Sequence, residues 1–103
     1  MAINRVYETG KIMGEIKTKL HEDGYTIANF RISVPFGFGA NKRMDFFECN
    51  AYRQTADYIA SNAKDGTMVT IEGHLRQRRW LEGEVQRSTV VIDVDDVVLG
   101  KVE

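Results

Sequence analysis

Apolar and polar residues alternate along most of this chain, and in one window the period changes to helical spacing. Period-two alternation marks strands with one face buried. In the exceptional window, Gln54 to Lys64, Ala56, Ile59, Ala60 and Ala63 fall at helical spacing and make one apolar stripe. The first strand is expected over Asn4 to Ile12, with a bend at Gly10, and a second extended stretch over Glu15 to Leu20. His21-Glu22-Asp23-Gly24 reads as a turn, because Asp-Gly accepts positive φ at little cost. Further strands are expected over Tyr25 to Val34, Met44 to Tyr52, Thr67 to Trp80 and Gln86 to Leu99. Asp65-Gly66 closes the helix, Leu81 to Val85 forms a hairpin turn, and the pattern breaks at Asp95-Asp96, as at a bulge.

The order is three strand segments, one helix and two strands. An all-β chain of that order, with its helix between strands 3 and 4, is expected to close into the five-stranded OB-fold barrel. Another antiparallel α+β sheet carrying one helix fits the same order. At 103 residues, with 43% hydrophobic and 28% charged, one domain spanning 1–103 is expected.

Several function classes recede on composition. Cys49 is the only cysteine and lies at core parity, so it reads as a small buried hydrophobe rather than a reactive thiol. His21 and His74 are far apart and have no paired cysteines beside them, so neither a metal nor another cofactor is expected. No secretory h-region and no membrane-length apolar run is visible, which makes a cytoplasmic protein the default. Net charge is −1, from 14 basic and 15 acidic residues, which argues against a strongly basic histone-like binder. Local charge is uneven: His74 to Trp80 carries three arginines and no acid.

The outward parity of the strands carries the chemistry. Phe47, Cys49 and Ala51 take the core side of their strand, which turns Phe46 and Tyr52 outward. Val69, Ile71, Gly73 and Leu75 face in, which turns His74, Arg76, Arg78 and Trp80 out. Arg31 is outward on the neighbouring strand. The loop from Pro35 to Arg43 holds Phe36, Phe38, Lys42 and Arg43, and its rings either contact bases or fold back over the barrel end. A strand of unpaired bases offers flat π-faces and a charge at every step, so rings interleaved with cations suit it. Taken singly, each residue has a plainer reading: Trp80 as a cap on the sheet, Tyr52 packed on the helix, Arg76 and Arg78 as solvated strand charges. Their convergence on one face favours binding.

These stretches resemble the bacterial single-stranded DNA-binding protein family along essentially the whole chain. The resemblance rests on Ile3-Asn4-Arg5-Val6 with Gly10-Lys11-Ile12, Ala28 to Val34, Asp45-Phe46-Phe47 through Tyr52-Arg53, the helix at Thr55 to Ala63, and Gly66 to Trp80. It implies an OB fold that coats single-stranded DNA in replication, recombination and repair, in a nucleoid or encoded by a phage or plasmid. It implies that Phe46, Tyr52 and Trp80 occupy the main stacking positions and that Phe36 or Phe38 takes one in the loop. It also implies a homo-oligomer, usually a tetramer, though Glu8 interrupts the strand that helps pair subunits and leaves a dimer open. The chain stops at Gly100-Lys101-Val102-Glu103, without the family's extension and acidic tip, so recruitment of replication and repair proteins through such a tip is not expected.

Two other functions compete at this level. One is a primosomal or replication accessory adaptor that works through protein contacts. The other is a nuclease, which needs clustered carboxylates for a metal. Asp93, Asp95 and Asp96 are the only such cluster, with Asp93 and Asp95 expected on one side and Asp96 on the other, away from the arginine-rich strand in sequence.

Overall fold

The computed structural model describes residues 2–102. Five strands and one helix follow in the order β1 (Val6–Leu20), β2 (Thr26–Phe36), β3 (Arg43–Tyr52), α1 (Arg53–Asn62), β4 (Thr67–Glu82) and β5 (Val85–Val102), with a 3-10 turn at Gly39–Asn41. The strands close into a barrel in the order β1-β2-β3-β5-β4, with only β3 and β5 running parallel. This is the expected OB-fold barrel, with the helix between β3 and β4.

Closure explains why the two extended stretches expected at the N-terminus are one strand. The first half of β1 pairs with β4, from Val6 opposite Gly73 to Lys11 opposite Met68, and the second half pairs with β2. The strand turns between Met13 and Lys17, where the β2 register shifts and Gly14 takes φ +79. Gly10 has another task than the expected bend: a Cβ there would run into the Ser33 carbonyl oxygen.

The core lies where inward parity from every strand meets. Ile12, Phe30, Ile32, Cys49, Val69 and Ile71 are buried, and α1 adds Ala56 and Ile59. The helix ends at Asn62, short of Lys64, and Ala63 is already extended. Gly66 serves the entry to β4 instead of the helix cap, donating its N–H to the Ile12 carbonyl at 2.8 Å. Ala60, assigned to the apolar stripe, is exposed.

Two expected core residues, Phe47 and Leu75, are exposed, as is Val90 on β5. β4 and β5 outrun the barrel beyond Leu75 and Ile92 and continue as a two-stranded arm to the Glu82–Val85 turn, so Leu75 and Val90 have no sheet packed above them. Among the described residues β3 pairs with β5 only at Cys49 and Asn50, which leaves Phe47 beyond that ladder. β2 runs two residues further than expected, and Pro35 pairs opposite Met44. The last β1–β2 pair is Lys11–Ser33, so on that side Pro35 has no ladder to interrupt. The bulge at Asp95 is present: Gly73 lies opposite Val94 and Glu72 opposite Asp96.

Candidate nucleic-acid interface

Sheet register gathers the outward residues into rows. Along β2 and β3, Ile27 lies opposite Tyr52, Asn29 opposite Asn50, Arg31 opposite Glu48 and Ser33 opposite Phe46. β1 extends two of these rows, with Lys19 opposite Ile27 and Lys17 opposite Asn29. The arm stands over the other side of this face and encloses an open groove of 560 Å³, bordered by Lys17, Lys19, Asn29, Tyr52, Arg76 and Arg78. Phe46 lies on the same face as Tyr52, six residues back along β3, or about 20 Å.

Tyr52 is held in place by a charged cluster. Its hydroxyl donates to Asp93 Oδ1 at 3.1 Å and accepts from Arg76 Nη2 at 3.2 Å, while Arg76 Nε donates to Asp93 Oδ2 at 2.7 Å. Partial burial, then the Asp93 carboxylate, push the Tyr52 phenol above its usual pKa. The Asp93 and Tyr52 hydrogen bonds likewise raise Arg76. His74 sits alongside, its Nδ1 3.0 Å from Asp95 Oδ2 and its Nε2 3.7 Å from Asp93 Oδ2. The aspartates, distant from the arginine-rich strand in sequence, lie against it in space, because β4 and β5 are neighbours and Asp93 faces His74 across the ladder. Arg76 is an ion-paired residue that fixes a ring, rather than a free cation awaiting a phosphate.

Arg78 reaches back toward β3, with Nη2 3.9 Å from Glu48 Oε2, and lies 5.1 Å from the centroid of the Trp80 ring. Trp80 thus shares the face of Arg76 and Arg78 and is 40% exposed. Arg31 is exposed on the β2 row. The remaining expected residues lie at the far end of β3, about 30 Å from Tyr52 along the strand. There Phe36 lies under the Arg43 guanidinium, 4.5 Å from ring centroid to its central carbon, and Arg43 Nε also pairs with Asp45 at 3.2 Å. Phe38 is 88% exposed and Phe36 47%, so neither ring folds over the barrel end. Lys42 is exposed beside them.

Lys17 and Lys19 were not singled out from sequence, although their alternation with Ile16 and Thr18 is a readable signal. Among the described residues Lys17, Lys19, Arg31 and Lys42 form no ion pair, whereas Arg43, Arg76 and Arg78 do. Asn29 was also missed; its amide donates to Glu48 Oε1 at 3.1 Å and to Asn50 Oδ1 at 2.9 Å, tying β2 to β3 beneath the groove. No sequence signal marked Asp93 as the anchor of Tyr52. Among the described residues no group of three or more His, Cys, Asp or Glu side chains is arranged to hold a metal ion. No helix among them is long and apolar enough to cross a membrane.

Known proteins resemble this chain in sequence and in fold. A family model described as the single-strand binding protein family matches residues 3–99. A single-stranded DNA-binding protein of Oceanobacillus iheyensis is 30% identical over 95 residues, covering 89% of this chain and 58% of the relative. One from Corynebacterium glutamicum is 33% identical over 97 residues, covering 85% of this chain and 43% of the relative. The chain spans about half the length of the curated relatives it matches. A solved Plasmodium falciparum SSB complex with ssDNA superposes with a TM-score of 0.91 over 98% of this chain and 97% of that one, at 17% identity, a likeness of fold.

Proposed function

The chain belongs to the single-strand binding protein family, and from that premise we propose that it binds single-stranded DNA without strong sequence preference. In this reading one OB domain grips the strand by stacking and by phosphate contacts. It protects and organises exposed strands in replication, recombination and repair, in the cytoplasm of a bacterial cell. The role is binding rather than catalysis. The observation that carries it is the Tyr52 ring, fixed by Asp93 and Arg76 on the wall of a groove that also presents Lys17 and Lys19, which have no carboxylate partner among the described residues.

Tyr52, Phe46 and Trp80 are the stacking residues of this reading. Each base on an aromatic contributes about 1–3 kcal/mol. Phe36 or Phe38 adds a contact at the loop end. Lys17, Lys19, Arg31, Lys42 and, in part, Arg43 and Arg78 meet phosphates, and Arg76 positions Tyr52. Stacking needs unpaired bases, so single strands are preferred over duplex. DNA over RNA is inferred from the relatives' names. A homo-oligomer, tetramer or dimer, follows from the family.

The test is titration of oligo-dT against the wild-type chain and Trp80→Ala/Tyr52→Ala, read by intrinsic fluorescence and by a mass measurement in solution. The double variant is expected to keep its circular dichroism and to bind at least about tenfold more weakly, the equivalent of about 1.4 kcal/mol. Unchanged affinity in a folded double variant would remove this face from the reading. An adaptor working only through protein contacts would show neither oligo-dT affinity nor quenching of Trp80.

A further inference from the structure

The wall that carries Tyr52 continues past the end of β3. Tyr52 borders both the groove described above and a second hollow of 570 Å³ on the helix side, where Tyr25, Arg53 and Asp57 are the other principal residues. Arg53, the first residue of α1, has φ 60 and is the only non-glycine residue at positive φ among those described. Its guanidinium carbon lies 4.1 Å from the centroid of the Tyr25 ring. The His21 ring stacks on the same tyrosine, centroids 4.4 Å apart and planes inclined by 13°. Two groups at van der Waals distance from one ring occupy its opposite faces, so His21, Tyr25 and Arg53 form a three-layer stack. The Asp23 N–H lies 3.1 Å from His21 Nδ1, and an Asp23 carboxylate oxygen 3.6 Å from the same nitrogen, which holds the outer ring of the stack in place.

The stack leaves Arg53, like Arg31 on β2, without a carboxylate partner among the described residues. Arg43, Arg76 and Arg78 each have a carboxylate partner, whereas Arg53 makes no ion pair among the described residues, even with Asp57 one turn further along the helix. Stacking uses the flat face of a guanidinium and leaves its edge N–H groups free. A planar cation already immobilised by an aromatic loses less freedom when it binds, and its paired edge donors match two phosphate oxygens.

We infer that Arg53 is a phosphate-binding residue that extends the single-strand path beyond Tyr52 into the second hollow. A strand with one base on Tyr52 carries its next phosphodiester onto the Arg53 edge, with Tyr25 and His21 as the platform behind it. The inference rests on the single-strand reading of the main groove, and it assigns to the His21–Tyr25–Arg53 stack a role distinct from base stacking in that groove.

The experiment is the salt dependence of oligo-dT affinity for the wild-type chain, Arg53→Gly, Arg53→Lys and Tyr52→Ala. Glycine accepts the backbone conformation at position 53, so Arg53→Gly keeps the fold, as circular dichroism will report. It is expected to bind several-fold more weakly at low salt, with a log–log salt slope shallower by about 0.7, the loss of one phosphate contact on a single strand. Arg53→Lys is expected to keep the wild-type slope, and Tyr52→Ala to lose affinity with the slope unchanged. Wild-type slope in Arg53→Gly, whether or not affinity falls, would overturn the phosphate role while leaving the main groove standing. No oligo-dT binding by the wild-type chain would instead overturn the single-strand reading itself.

Discussion

At the residue scale, the two buried acidic groups do different work. Asp93 is almost buried, and its two oxygens are divided between a tyrosine and an arginine. Asp93→Asn would leave Arg76 without its counter-charge and loosen the Tyr52 hydroxyl. Urea denaturation is expected to show a loss of about 1–3 kcal/mol, the usual range for removing a charged hydrogen-bond partner. Cys49 is the opposite case, a titratable group with no use for its charge. Burial first, then Glu48 and Glu8, push its thiol from 9.0 up to about 12. As pH rises the unfolded thiol ionises before the folded one. Its contribution to stability is therefore intact below pH 9 and declines from there to about 12. Each pH unit within that window removes up to about 1.4 kcal/mol. Cys49→Ala is expected to flatten the alkaline limb of the stability curve, and at pH 8 the native thiol should resist an alkylating reagent that labels it in denaturant. The position of Cys49 was readable from strand parity; the Asp93 link to Tyr52 was not, because its partners are 41 residues apart in sequence.

Parity succeeds at the scale of elements where a strand lies within the closed barrel and fails where a strand leaves it. Val69 and Ile71 follow it on β4, while Leu75 on the same strand is 46% exposed. The difference lies beyond the strand itself: β1 accompanies β4 only as far as Val6 opposite Gly73, with the Asn4 side chain capping Leu75 through both its N–H and its carbonyl. Past that point β4 and β5 have only each other, and two strands alone are marginally stable in water. Amide hydrogen exchange should therefore be faster over Gln77 to Val90 than over Val69 to Gly73, and oligo-dT should slow exchange in the arm if Trp80 contacts a strand. Uniform protection along β4 would show that the arm is not a separate, weaker unit.

For the whole molecule, net charge is a poor guide to affinity for phosphate. The sum of −1 conceals cations that are neutralised within the structure and others that are not. Arg43, Arg76 and Arg78 face carboxylates, whereas Lys17, Lys19, Arg31 and Arg53 have none within ion-pair distance among the described residues. With Lys42 counted as well, about five unpaired cations and about 0.7 per phosphate contact put the salt slope on oligo-dT at about −3.5. A much steeper slope would mean that the internal ion pairs open on binding and release their arginines to the strand.

Local chemistry was sufficient to specify the elements of this chain. Alternation identified the strands, one helical window identified α1, and Asp-Gly and the paired aspartates located a turn and a bulge, because each depends on neighbours a few residues away. The outward aromatics and arginines were legible for the same reason. Barrel closure decided the rest: that β1 is one bent strand serving two partners, that β4 and β5 extend as an arm, and that Asp93 meets Arg76 and Tyr52. Those contacts depend on which strands become neighbours in space, and strand pairing is a long-range choice that no short window of residues encodes.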